Sequence, residues 1–264
     1  MDTVLGTKIN RLERDLPEGL IVDAAWLEAK GYSASLRNKY VASGWLVKPA
    51  PTLFRRPRGE LSWEQVVISL QMMMGLTLVV GGRTALEQKG FGHYLVRATT
   101  EVHLYGPKPL PTWLAKLALD VNFIGHNSAR LFSDNDGKAS AIYEFTTVPW
   151  GQWKWPMVLS TPERSVLELL DELPSRESFH QVDKLFEGLT ALSPRRLQPL
   201  LEACGSVKVK RLFFFFADRH QHAWLKRLDK SAVDLGSGNR HLVDGGKLDR
   251  TYKITVPEDL DGVR

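Results

Sequence analysis

Cysteine is almost missing from this chain: Cys204 is the single one among 264 residues. One thiol permits no internal disulfide and no cysteine-based zinc site, which excludes a stapled secreted scaffold and fits a reducing cytoplasm. Long hydrophobic runs are missing too. The longest apolar stretches, residues 72–82 and 212–217, fall well short of the roughly 20 residues a membrane span needs. The opening MDTVLGTK carries an acid at position 2 and no apolar run, so no signal peptide is expected. Internal repeats and low-complexity segments are absent. With 43% hydrophobic residues the chain can close a core, and its length allows one large domain or two smaller ones.

Catalytic signatures are equally scarce. No HExxH, GxSxG or HxE…PCxxC pattern occurs. His220 and His222 stand two apart, a spacing that does not share a helix face, and His93, His103, His126, His180 and His241 show no ligand spacing. Asp134-Asn135-Asp136-Gly137 reads as a turn. A calcium loop begun at Asp134 reaches Phe145 where a glutamate is required. Glu101 and Glu144 fall on expected strands without the accompanying residues of a metal-dependent nuclease. Neither a catalytic residue, nor a metal, nor a cofactor is expected.

The most telling absence is local. Between Lys30 and Gly59 there is no Asp or Glu, while Lys30, Arg37, Lys39, Lys48, Arg55, Arg56 and Arg58 supply seven positive charges. The whole chain has 35 Lys+Arg against 30 Asp+Glu, a net of +5, so this segment exceeds the total and the remainder is slightly acidic. A second basic region, residues 195–230, is spread along helical sequence, where a solvated face is the simpler reading.

Helical spacing of Ile9, Leu12 and Leu16 predicts a first helix, stopped by Pro17 and Gly19. A second is predicted over 22–30 with Asp23 near its start, and a third from the N-cap Ser33 to Ser43, ended by Gly44. Two extended stretches follow, 45–48 and 52–55, joined by Pro49-Ala50-Pro51. On a helical wheel Leu36 and Tyr40 share the packed side of the third helix, Ser35, Asn38, Lys39 and Ala42 the free side, and Arg37 lies at the margin. Small and hydrogen-bonding side chains on a free face suit groove reading, and a basic hairpin beside it suits phosphate contacts. The candidate DNA contacts are therefore Ser33, Ser35, Arg37, Asn38, Lys39, Lys48, Arg55, Arg56 and Arg58. A small helical subdomain with an ordinary charged surface is the competing reading.

Beyond residue 60 the pattern is mixed. A helix is predicted over 63–74, strands over 76–80, 102–105, 121–124, 141–148 and 157–160, and a helix over 110–119. Gly81-Gly82-Arg83-Thr84-Ala85-Leu86 leads into another helix and lacks P-loop or dinucleotide spacing, so it reads as a structural turn. Helices are predicted over 162–172, 179–188, 194–204 and 208–228, the first opened by Thr161 and Pro162. Phe213–Phe216 require the last of them to be enclosed on most sides. A final strand spans 252–256. The fold class expected is α+β: a winged helix-turn-helix domain over 1–60, then a larger mixed domain over 61–264 ending in a helical region.

Several strings together resemble the AbiEi antitoxins of AbiE abortive-infection, type IV toxin–antitoxin systems. They are Gly81–Leu86, Ser160-Thr161-Pro162-Glu163-Arg164, Val207-Lys208-Val209-Lys210-Arg211-Leu212-Phe213, Trp224-Leu225, Asp234-Leu235-Gly236-Ser237-Gly238-Asn239-Arg240 and Tyr252-Lys253-Ile254-Thr255-Val256-Pro257. The resemblance implies an N-terminal winged helix that binds inverted repeats in the promoter of its own operon. It also implies a C-terminal domain opposing a nucleotidyltransferase-like toxin, a functional partner rather than a necessary physical one. Lys208, Lys210, Arg211, Lys226 and Arg227 are the candidate charges of that C-terminal surface. A monomer in solution or a dimer on DNA, with no membrane partner, is expected. A protein-docking scaffold, or a nuclease or nucleotidyltransferase with an unrecognised site, are the alternatives.

Overall fold

The computed structural model describes residues 2–91, 99–132 and 144–261. The predicted turn at 134–137, and His93, lie outside them. Helix α1 (Asp2–Asp15) leads to strand β1 (Ile21–Asp23), α2 (Ala24–Ala29), α3 (Ala34–Ala42) and β2 (Leu53–Arg55). Asp23 and Ser33 cap α2 and α3: Trp26 N–H donates to Asp23 Oδ1 at 2.7 Å, and Leu36 N–H to Ser33 Oγ at 3.3 Å.

The start of α2 is later than its sequence spacing predicts. Ile21 and Val22 are fully buried β-branched residues, and they pair with β2 in an antiparallel ladder (Ile21↔Arg55, Asp23↔Leu53). The expected hairpin is reduced to one bridge, Val47↔Arg55. Thus β2 takes its main partner from before the helices, a pairing that local pattern cannot reveal.

The predicted helix over 63–74 divides. Helix α4 (Trp63–Ile68) opens with a capping box from Ser62 and Gln65, then widens into a π-helical turn, Ser69–Met73. Ser69 sits at this junction: its hydroxyl donates to Gln65 O (2.6 Å) and accepts from Ile21 N–H (2.9 Å). One hydroxyl thereby ties β1 to α4.

A five-stranded sheet follows, in the order β5-β4-β3-β7-β6. Its strands are β3 (Val79–Val80), β4 (Glu101–Gly106), β5 (Asn122–Asn127), β6 (Phe145–Trp150) and β7 (Trp155–Ser160), with α5 (Gly82–Gln88) after β3. The helix expected over 110–119 is a 3-10 segment, Thr112–Lys116, set behind Pro111. Strand β4 is buried on both faces. Val102 and Leu104 join a hydrophobic cluster with Leu12, Leu16, Tyr40, Phe54, Val66 and Leu159, so the first three helices and one sheet face share a core. His103 and Tyr105 alternate onto the opposite face.

That face is covered by α6 (Pro162–Asp171), followed by α7 (Phe179–Gly188), α8 (Pro194–Ala203) and α9 (Val207–His220). A second cluster fills this helical layer around Phe186, Phe213, Phe214 and Phe216. Helix α9 is enclosed as its four phenylalanines require, but it stops at Gln221 in the left-handed region (φ 50°) rather than at residue 228. Stopping there lets His222 and Trp224 turn back onto α7, with Trp224 Nε1–H donating to Leu189 O at 2.6 Å. Strands β8 (Lys247–Asp249) and β9 (Ile254–Val256) pair antiparallel at the end. The architecture is α+β, and no helix among the described residues is long and apolar enough to cross a membrane.

Candidate nucleic-acid interface

Helix α3 buries Tyr40 and half-buries Leu36, leaving Ser35, Asn38, Lys39 and Ala42 exposed. Their i, i+3, i+4, i+7 spacing makes one continuous polar stripe. Ser33 is exposed as well, but its hydroxyl is engaged in capping. Beside the helix, Lys48 is exposed with its ammonium 5.4 Å from the Phe54 ring centroid. Arg55 is half-buried and donates to the carbonyls of Arg58 (3.1 Å) and Gly59 (2.7 Å), which locks the turn after β2. The Arg58 side chain is 81% exposed, with Glu18 at 3.6 Å.

Two of the expected DNA contacts are placed elsewhere. Arg37 is only 8% exposed: its Nη1 donates to Tyr32 O at 2.7 Å and Ala24 O at 3.4 Å, and Glu28 lies 3.7 Å away. It bridges α2 to the α2–α3 turn, because the margin of the wheel faces the neighbouring helix once the two pack. Arg56 is paired with Glu13 (3.1 Å) and Glu18 (3.0 Å). The acid-free stretch thus meets acids from outside it, and its free charge is smaller than its composition indicates.

The C-terminal basic candidates divide in the same way. Lys226 and Arg227 are exposed on a single 3-10 turn, Leu225–Arg227. Lys208 instead donates to Asp171 O (2.6 Å) and Leu173 O (2.8 Å), closing the C-terminal end of α6, and burial is the largest influence lowering its pKa. Lys210 and Arg211 are 5% and 2% exposed. Arg211 Nε donates to Leu235 O and its Nη1 to Gly238 O, both at 2.7 Å, and Nη1 also reaches Lys253 O at 3.2 Å. Lys210 and Arg211 are therefore corrected from surface to interior, and Lys208 to a half-buried position held against the end of α6. Helix α9 is buried without interruption from Val209 to Ala217, so even the basic positions within that span face protein.

Arg211 also explains why distant strings belong together: one guanidinium joins residues of the 207–213, 234–240 and 252–257 segments. A second buried group joins two of the remaining three. Glu168 is fully buried, and its carboxylate accepts from Arg164 Nε (2.8 Å), Ser160 Oγ (3.0 Å) and Gly82 N–H (2.9 Å). The first-turn N–H of α5 is thus occupied by the protein's own carboxylate, in keeping with a structural role for the Gly81-Gly82 turn. A Cβ on Gly81 would stand 2.3 Å from Glu168 Oε2 and 2.5 Å from Tyr105 Cδ2, and Gly82 has φ +53°. Arg164 lies between the rings of Phe132 (4.5 Å) and Phe145 (4.8 Å). Thr161 begins α6, but its buried hydroxyl makes no capping bond.

Family models match this arrangement over nearly its whole length. Residues 6–97 match the N-terminal domain of "Transcriptional regulator, AbiEi antitoxin", and residues 99–257 match "Transcriptional regulator, AbiEi antitoxin, Type IV TA system". The chain belongs to the AbiEi antitoxin family. Among solved structures, it is similar to the crystal structure of the RV2827C protein from Mycobacterium tuberculosis, at 16% identity and TM-score 0.57, covering 93% of this chain and 88% of that one. That likeness concerns the fold. A comparison with curated proteins gives no match.

The family is one of antitoxins and transcriptional regulators, and this AbiEi antitoxin holds a buried polar cluster on the sheet face under α6. A cleft of about 170 Å³ is lined by Tyr105, His126, Arg130, Asp171 and Glu172, among others. His126 Nδ1 lies 3.1 Å from Glu172 Oε1, and its Nε2 lies 2.9 Å from His103 Nδ1, with the two imidazoles stacked. Both ring nitrogens of His126 thus have a partner within hydrogen-bond distance. Burial, reinforced by His126, pushes the His103 pKa down to about 4. Sequence spacing gave no sign of this pair, which forms only because β4 and β5 run parallel. Among the described residues no group of three His, Cys, Asp or Glu side chains is arranged to hold a metal.

Proposed function

We propose that this AbiEi antitoxin is the autorepressor of its own operon. Residues 1–60 form a winged helix-turn-helix that binds inverted-repeat promoter DNA, and residues 61–264 oppose a nucleotidyltransferase-like toxin without catalysing a reaction. The observation that carries the reading is the exposed stripe Ser35, Asn38, Lys39 on α3, free of acids, with Lys48 and Arg58 exposed on the segments either side of β2. Ser35 and Ala42 permit close approach, Asn38 can address an adenine edge bidentately, and Lys39 a guanine or a phosphate. Lys48, Arg55 and Arg58 would hold the backbone beside the groove. Arg37 and Arg56 leave this set, and Ser33 contributes as a cap. For toxin opposition, Lys226 and Arg227 are the remaining exposed candidates. Recognition of an inverted repeat calls for two copies per site, as a dimer on DNA or as paired monomers. The reading places the protein in the cytoplasm.

Fluorescence anisotropy on the duplex upstream of the gene tests it. Asn38→Ala is expected to cost about 1–3 kcal/mol on the specific duplex and to relax sequence preference. The pair Lys48→Ala/Arg58→Ala is expected to weaken all duplexes alike and to flatten the log K against log salt slope by about 2, at roughly 0.9 per phosphate contact. Specific binding unchanged in both variants would overturn the assignment.

A further inference from the structure

Trp45 stands inside the acid-free stretch and has no part in the contacts assigned so far. Building on the winged-helix reading, we infer that its indole ring packs against the deoxyribose backbone of the bound duplex, a contact that adds affinity and reads no base. The end of α3 fixes the backbone at this point. Gly44, with φ +76°, sends its N–H back to Val41 O (3.2 Å), and Trp45 sends its own to Tyr40 O (2.9 Å). These two bonds form a Schellman motif, with glycine at the left-handed position that other residues rarely adopt. In such a motif the residue after the glycine commonly turns an apolar side chain onto the last turn of the helix. Here the next residue, Leu46, takes the interior place at 1% exposure, its N–H also reaching Tyr40 O at 3.1 Å. Trp45 stays 42% exposed.

Its place in the chain ties it to the proposed interface. Trp45 follows Ala42, the last residue of the exposed stripe, across the exposed Ser43 and Gly44, and it precedes the exposed Lys48. The nearest acids in sequence are Glu28 and Glu60. Of the eight tryptophans, only Trp45 and Trp153 join neither hydrophobic cluster among the described residues. The Trp45 indole makes no ring contact there, and its Nε1–H meets no acceptor. A large apolar side chain left in water beside a polar, cationic surface is what a contact residue requires, since its remaining face is desolvated only when a partner arrives.

The chemistry of the side chain selects the sugar as its target. Indole has one donor and no acceptor, so it cannot match the paired donor and acceptor pattern of a base edge. Its ring face fits the apolar carbons of a deoxyribose. In a helix-turn-helix the N-terminal residues of the second helix address base edges, and the end of that helix meets the backbone. Asn38 and Lys39 occupy the reading part of α3, and Trp45 lies past its C-terminal end, at the groove wall. A neutral ring also releases no counterions, unlike Lys48 and Arg58. Three kinds of contact therefore have three signatures: loss of sequence preference at Asn38, a flatter salt slope at Lys48 and Arg58, and at Trp45 a loss of affinity with neither.

The test is fluorescence anisotropy of the full chain on the upstream duplex and on an unrelated duplex, each over a salt series. Trp45→Ala is expected to weaken both duplexes about tenfold with the slope of log K against log salt unchanged. Trp45→Gln, a longer side chain without an apolar face, is expected to show the same loss, and Trp45→Phe to retain most of the affinity. Trp153→Ala, at the other tryptophan outside both clusters, is expected to match the wild type. Full affinity in Trp45→Ala and Trp45→Gln, a flattened slope, a loss confined to the upstream duplex, or an equal loss from Trp153→Ala would overturn the Trp45 contact and leave the winged helix in place. A wild type that binds neither duplex would overturn the DNA reading itself, and the Trp45 contact with it.

Discussion

Replacing Glu168 with alanine tests whether one buried carboxylate holds the sheet to its helical cover. The side chain is fully buried and accepts three hydrogen bonds, from a guanidinium, a hydroxyl and a backbone N–H on α5. Removing one member of a buried ion pair typically costs about 3–5 kcal/mol, because the other charge stays in a low-dielectric surrounding. Ser160 Oγ and Gly82 N–H would each lose their acceptor as well, at about 1–3 kcal/mol apiece if taken alone. These losses overlap, so the expectation is a total of about 4–6 kcal/mol in urea unfolding followed by tryptophan fluorescence. Combining Arg164→Met with Glu168→Ala removes both charges together and is expected to recover part of that loss, since no buried charge is then left without its partner. The double-mutant cycle should then give a coupling above about 2 kcal/mol. A cost below about 1 kcal/mol for Glu168→Ala, or simple additivity of the two changes, would refute the reasoning.

Two further outcomes follow from the buried polar groups. The folded-state pKa of His103, near 4 against 6.5 for the free side chain, means that the unfolded chain takes up a proton first as pH falls. Stability should therefore decline between those values, at about 1.4 kcal/mol per pH unit to a total of about 3 kcal/mol. His103→Leu should flatten this part of the profile, and an unchanged slope would contradict the assignment. Arg211→Ala is expected to lower stability by about 2–4 kcal/mol and to expose residues 234–240 to limited proteolysis, whereas Lys226→Ala and Arg227→Ala should each stay within about 0.5 kcal/mol. Equal proteolytic resistance in Arg211→Ala would show that the loop is held by other contacts.

Much of the element order was legible, because it follows from local chemistry. Ser33 caps where the spacing predicts, Asp23 stands at the start of α2 as expected though as its cap, and the four phenylalanines of α9 had to be enclosed. Errors fall where a distant partner intervenes. Val22 reads as the start of a helix until β2 is present to pair with it and with Ile21. Likewise, α9 ends early because His222 and Trp224 have acceptors on α7 and at Leu189.

The same division runs through the functional residues. Sequence by itself determined that the first sixty residues concentrate positive charge on a helix with a free polar face, since spacing and composition are local properties. Which basic residues are free was decided only by the fold. A guanidinium reaches several ångströms from its backbone, and whether it meets solvent, a carbonyl or a carboxylate depends on chain segments far away in sequence. Arg37, Arg56 and Arg211 each found protein, while Lys39, Lys48 and Arg58 remained at the surface.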